Sequence, residues 1–227
     1  TKALTQLTHT PESEYSPLVT PDGKTFSVIR VEADGTQRLW RFDLDGSNPR
    51  LVLENVKDVG YQAWLDATHV AVFIVGHGQP NTLQLADTTT GKAEIIDSNP
   101  GHGLALRPGP GPSGRPATLT YVCKTDPAHW VIKEFTPSTK ATRVIGDALQ
   151  GSEDLAWDGE NSMPDQPPGR LLMASGSKVY VRSGTEWRES GDFAAAGIGH
   201  ITRLAVSPAR YTSSSSRLVF VAEPVSK

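Results

Sequence analysis

The side chains that could do chemistry in this chain fall at matching places rather than in short motifs. Tyr15, Tyr61, His102, Glu153, Asp154 and Arg203 each stand three or four residues before one of a recurring set of large residues: Val19, Trp64, Leu106, Trp157 and Val206. Together they offer two aromatic anchors, a guanidinium for carboxylates and acids for amines, the features of a recognition surface. Glu153 and Asp154 are a carboxylate pair of the kind used in glycoside hydrolysis. Neighbours on a strand point to opposite faces, however, so a second acid such as Glu14 would have to come from another repeat. The histidines (His9, His69, His77, His102, His129 and His200) show no short metal-ligand spacing, and a metal on His102, Glu153, Asp154 or His200 has no spacing argument. No nucleophile elbow, phosphate loop, dinucleotide fingerprint or zinc-protease helix occurs. Asp43-Leu44-Asp45-Gly46-Ser47-Asn48 resembles the start of a calcium loop, but its twelfth position, Glu54, belongs to a strand end and not a helix. A β-turn whose Asp side chains bond their own backbone is the expectation there. The site is therefore read as a binding site, with no catalytic residue, no metal and no cofactor.

The elements that must position these residues are best seen from Tyr15 to Leu53. Pro21-Asp22-Gly23 and Ala33-Asp34-Gly35 are turn sequences, and Asp45-Gly46-Ser47 is a third. Between them Thr25 to Val31 is β-branched and aromatic, and Arg38 to Leu44 alternates polar and apolar residues. Four short strands in about forty residues make one sheet of a radial repeat. The unit recurs. Its first strands end at Val19, Trp64, Leu106, Trp157 and Val206, spaced by 45, 42, 51 and 49 residues. The residues before these anchors are Leu18, Ala63, Ala105, Ala156 and Ala205, small in four of five, as expected where strands converge on an axis. The stretch after Val206 joined to the stretch up to Val19 amounts to 40 residues, nearly one more repeat. The expectation is an all-β fold, a single β-propeller of five blades occupying 1–227, with the last blade closed by an N-terminal strand at Ala3 to Thr8. On this reading the last blade has three strands, and the site residues line one mouth of the central channel.

Leu7-Thr8, Ser16-Pro17, Thr20-Pro21-Asp22-Gly23-Lys24 and Leu39-Trp40-Arg41-Phe42-Asp43-Leu44-Asp45-Gly46 together resemble the repeat of the TolB-type β-propellers. The likeness is strong over the first repeat and returns at Ala205-Val206-Ser207-Pro208. Five blades departs from the six usual in TolB itself. The resemblance implies a periplasmic protein–protein role.

Composition narrows the alternatives. A chain of 227 residues with a formal net charge of −3 has no basic excess with which to neutralise phosphates, so nucleic acid is not an expected partner. No apolar run is long enough to span a bilayer. Cys123, the one cysteine, lies in the apolar stretch Thr118 to Lys124 and is expected to be a buried thiol. Trp64 and Trp157 share a repeat position and are expected to pack between sheets, whereas Trp187 should be half-exposed. Two Pro/Gly-rich turns, Pro108 to Pro116 and Gly159 to Gly169, are expected as loops. The chain starts at Thr1 with no signal peptide, which suggests a processed or truncated chain, the propeller part of a longer precursor. The resulting expectation is a monomeric, non-catalytic binding module, periplasmic or extracellular, engaging a protein, peptide or small polar ligand at the channel mouth. The alternatives are a hydrolase or lyase using acids and His there, or the gating propeller of a larger peptidase.

Overall fold

A computed structural model describes residues 4–107, 118–158, 169–207 and 217–225. Strands follow wherever the sequence alternates, and each ends where its turn chemistry begins. At the first turn Gly23 takes a φ of 68°, its N–H donates to the Thr20 carbonyl, and the Asp22 carboxylate accepts from the Lys24 N–H. β1 (Ser13–Val19), β2 (Thr25–Val31), β3 (Gln37–Asp43) and β4 (Arg50–Leu51) form one antiparallel sheet in chain order. β5 (Val59–Trp64), β6 (His69–Ile74), β7 (Thr82–Asp87) and β8 (Lys92–Ser98) form the next. These two sheets make a first compact unit ending at Ser98.

The second unit begins at Asn99. It holds β9 (Pro100–Arg107), β10 (Thr118–Cys123), β11 (Val131–Thr136) and β12 (Ala141–Asp147) in one sheet. A further sheet contains β13 (Leu155–Asp158), β14 (Arg170–Ser175), β15 (Lys178–Ser183) and β16 (Glu186–Asp192). β17 (Ile198–Ser207) pairs with β18 (Arg217–Pro224) in a sheet of two.

The register shows that the repeat is physical. Each anchor pairs with the second residue of the strand that follows it: Val19 with Phe26, Trp64 with Val70, Leu106 with Leu119, Trp157 with Leu171, and Val206 with Leu218. Of the four alanines expected at a convergence, Ala63 and Ala156 are buried, Ala105 is half-buried and Ala205 is exposed, as are Leu18 and Val19. Cys123 is buried. Trp187 is half-buried, and its indole N–H donates to the Asp147 carbonyl. The expected calcium-like stretch is a turn: Gly46 N–H donates to the Asp43 carbonyl, Asp45 accepts from the Ser47 N–H, and Asp43 is paired with Arg50 and Asn48.

Two expectations fail. The period-two pattern LTQLT does not make a strand: residues 4–10 are irregular, and the β17–β18 sheet includes no N-terminal strand among the described residues. Instead the segment lies over the β3–β4 turn, where a Cβ on Gly46 would overlap the Leu7 carbonyl. A close backbone approach inside its own unit has displaced a ladder that alternation alone suggested. The last sheet accordingly has two strands among the described residues and not three. The Pro/Gly-rich turns at 108–117 and 159–168 and the turn at 213–216 lie outside the described residues.

Within each unit neighbouring sheets are joined through the anchors. Trp64 Nε1 donates to Ser27 Oγ at 2.8 Å, and Trp157 Nε1 donates to Thr120 Oγ1 at 3.0 Å; both acceptors are the third residue of the preceding sheet's second strand. Ser27 Oγ in turn donates to Gln62 Oε1 at 2.7 Å, and Gln62 Nε2 donates to the Ser16 carbonyl at 3.0 Å. Ser16 has a φ of 53° inside a β-bulge, which turns that carbonyl out of the β1–β2 ladder. Ser27→Ala and Thr120→Val should therefore each cost about 1–3 kcal/mol, because each leaves an indole N–H unpaired, buried at Trp64 and partly buried at Trp157. Ser47→Ala, in an exposed turn, should stay within about 0.5 kcal/mol. Urea unfolding compares the three, and equal small losses would show that the anchor bonds do not hold the sheets.

Candidate functional site

The lead-in positions before the anchors are where the ladders become irregular. Bulges fall between Tyr15 and Leu18, between Val59 and Tyr61, and between Ile201 and Arg203, while Glu153 and Asp154 precede β13 altogether. Irregular backbone at these points aims side chains away from the pleat. Glu153 and Asp154 are thus not strand neighbours, yet they still diverge, one toward β9 and β10 and the other toward β17.

In the second unit the structure brings four of the six expected residues together. Glu153 Oε2 accepts from His102 Nδ1 at 2.9 Å and from the His102 backbone N–H at 3.1 Å, and Lys124 Nζ donates to its other oxygen at 2.5 Å. On the far side of the imidazole, Arg203 Nη1 lies 2.5 Å from His102 Nε2 and 2.8 Å from the Thr202 carbonyl. A guanidinium has donors only, so Nε2 must be the acceptor and the ring proton sits on Nδ1, facing Glu153. Asp154 accepts from the Leu204 backbone N–H, tying the β13 lead-in to β17. Gly103 allows the approach of β9: a Cβ there would come 2.8 Å from Asp154 Cα. His102, Glu153, Asp154 and Arg203 border a cavity of about 380 Å³ that His200 and Gln150 also line.

Charge states follow from the contacts. Burial works against ionisation of Glu153, but hydrogen bonds from His102 and Lys124 outweigh it and hold the carboxyl down at about 2. Asp154 goes the other way: burial raises it, only partly offset by the Leu204 N–H and the nearby Arg203 guanidinium.

Tyr15 and Tyr61 form a separate pair in the first unit. Burial, with a smaller contribution from Tyr61, pushes Tyr15 up to about 12. The phenol is therefore a neutral donor at ordinary pH, and its ring packs against the core around Ile29, Leu39 and Trp64. Tyr61 meets Phe73 edge-on at 5.7 Å between ring centroids. Glu14, the other acid considered, is bound by Arg30 at 2.8 Å and accepts from Thr10.

Lys124 is the residue that sequence reading missed. It sits just past β10 with its ammonium 5.3 Å from the Trp130 ring centroid, and nothing in its local sequence separates it from an ordinary solvated strand end.

The sequence matches no protein-family profile and no curated protein sequence. Solved structures do resemble the fold. A protein assigned as TolB from Agrobacterium tumefaciens aligns over 95% of this chain and 72% of its own, with a TM-score of 0.62 and 16% identity. A chain of a nidogen–laminin complex aligns over 88% of this chain and 68% of its own, with a TM-score of 0.58 and 13% identity. TolB from Acinetobacter baumannii aligns over 91% of this chain but 49% of its own, with a TM-score of 0.50 and 14% identity. The chain therefore has a TolB-like, propeller-type fold, and no helix among the described residues is long and apolar enough to cross a membrane.

The Glu153 shift has a definite sign. A carboxyl lowered from 4.5 to about 2 on folding adds stability that is present above pH 4.5 and disappears as pH falls toward 2. Glu153→Gln should lose up to about 3 kcal/mol at neutral pH and show a flatter acid limb between those values. Thermal melts against pH read this directly; parallel acid limbs for the two proteins would mean the network does not hold Glu153 ionised.

Proposed function

We propose that the chain is a single propeller domain over 1–227, its five sheets being the blades, and that it acts as a non-catalytic binding module. It engages a protein, peptide or small polar ligand through Tyr15, Tyr61, His102, Glu153, Asp154 and Arg203. The observation that carries this reading is the state of Glu153. Three donors occupy its carboxylate and hold it at about 2, so near neutral pH it is neither a proton donor nor an uncommitted base. Asp154 is engaged by the Leu204 N–H. Both acids then serve to fix the imidazole and the strand lead-ins, which is what a pre-organised recognition surface needs. Arg203 supplies the charge complementary to a carboxylate, and the tyrosines supply aromatic area. The sequence resemblance supports a periplasmic or extracellular setting.

The test is capture of partners from periplasmic extract, run beside a panel of hydrolase and lyase substrates. Tyr61→Ala and Arg203→Ala should weaken the captured interaction by about 1–4 kcal/mol without lowering thermal stability to match. Turnover of a substrate that is abolished by His102→Ala or Glu153→Gln, with no partner sensitive to Tyr61 or Arg203, would replace the binding module with an enzyme.

A further inference from the structure

β18 departs from its counterparts in the other sheets. The second strand is otherwise among the most buried elements of its sheet: β2 is buried from Thr25 to Arg30, and β6, β10 and β14 each have at least four consecutive buried residues. In each of those sheets a third strand pairs antiparallel with its outer edge. Among the described residues β18 pairs with β17 alone and has no buried residue. Val219 is 59% exposed and Val221 61%.

The direction of its backbone can be assigned. Val225 N–H donates to the Gly197 carbonyl, and the Val221 carbonyl accepts from Thr202 Oγ1, so these odd-numbered residues face β17. The extra residues of both register shifts lie in β17, leaving β18 regular. Leu218, Phe220 and Ala222 therefore direct their N–H and C=O groups to the open edge, and Pro224, which has no N–H, ends it.

We propose that this edge is the contact surface for a second copy of the chain. Two β18 strands join antiparallel about a two-fold axis at Phe220. The sequence Arg217-Leu-Val-Phe-Val-Ala-Glu223 is complementary to its own reverse. With Phe220 opposite Phe220 of the second copy, Leu218 meets Ala222, Val219 meets Val221, and Arg217 meets Glu223, twice by symmetry. The outward-facing Phe220 pair exchanges both backbone hydrogen bonds. The exposed valines fall at non-hydrogen-bonded pairs, where side chains approach most closely. Joining β17–β18 to its copy produces a sheet of four strands, the number in every other sheet. The sequence alone suggested a monomer; an edge of eight residues, unpaired among the described residues and apolar at its centre, argues otherwise.

The full chain should show a concentration-dependent monomer–dimer equilibrium in sedimentation velocity. Arg217→Glu and Glu223→Arg each place like charges opposite one another twice, and each should weaken the dimer about tenfold or more. The double swap restores the pairing and should return the dimer close to the wild-type affinity, while Val221→Lys abolishes it. All three substituted positions are exposed, and circular dichroism melts confirm that each of the four variants is folded. Three outcomes overturn the proposal. One is a dimer indifferent to these substitutions. Another is a folded double swap that fails to recover. The third is a monomer at the highest concentration attained: protected amides at Leu218, Phe220 and Ala222 in hydrogen exchange would then assign the edge to a segment of the same chain, and unprotected amides would leave it open.

Discussion

An indole near the end of a sheet's first strand brings its bulk and an N–H that must find an acceptor, and for Trp64 and Trp157 the acceptor belongs to the sheet before. Trp64 reaches Ser27 and Trp157 reaches Thr120, across the same sequence separation of 37 residues. Sheets that touch only through apolar side chains can slide with little penalty. A buried N–H with one acceptor cannot, since losing the bond leaves both partners desolvated. Where the anchor is Val206 the matching position is Leu172, and the two meet in one apolar cluster. The anchor and its seat change together, polar with polar and apolar with apolar, so the junction is kept while its chemistry varies.

Rigid junctions place the lead-in residues. In the first unit the Ser27 hydroxyl hands its own proton to Gln62, whose amide holds the Ser16 carbonyl, so the bulge carrying Tyr15 is tied to the neighbouring strand. In the second unit the tie runs through charge: Asp154 takes the Leu204 N–H, and Glu153 takes His102 and Lys124. Partly buried charges seldom repay their desolvation as net stability, even when paired. What they confer is direction. A histidine held on one side by a carboxylate and on the other by a guanidinium has one tautomer and one ring orientation.

Much of this was legible in the chain. Turn residues and period-two alternation located the strands to within a few residues, because both are local chemistry. The anchors were legible because the junction between neighbouring sheets repeats within each unit. The N-terminal segment was misread for an equally physical reason: LTQLT alternates as a strand does, but alternation states which faces differ, not which edge is within reach. Leu7 instead lies against Gly46, a contact decided by tertiary structure. Lys124 was invisible for the same reason. Its role depends on Glu153, 29 residues away, and a charge at a strand end has no periodicity to betray it.

The site residues also show how far a repeat constrains function. Tyr15 and Tyr61 occupy the same lead-in positions as His102, Glu153, Asp154 and Arg203, yet the first pair is an aromatic surface with a neutral phenol and the second set a charged network around one imidazole. The repeat determines where these side chains stand, since the anchor three or four residues on is fixed by its junction. It does not determine what they are, because no ladder bond or core contact of the repeat requires a particular side chain there. Positions held rigid by the fold but left open in chemistry are where recognition can diversify at little expense in stability. Gly103 marks the limit of that freedom. It stands at such a position, but the approach of the Glu153–Asp154 backbone leaves room for no side chain at all.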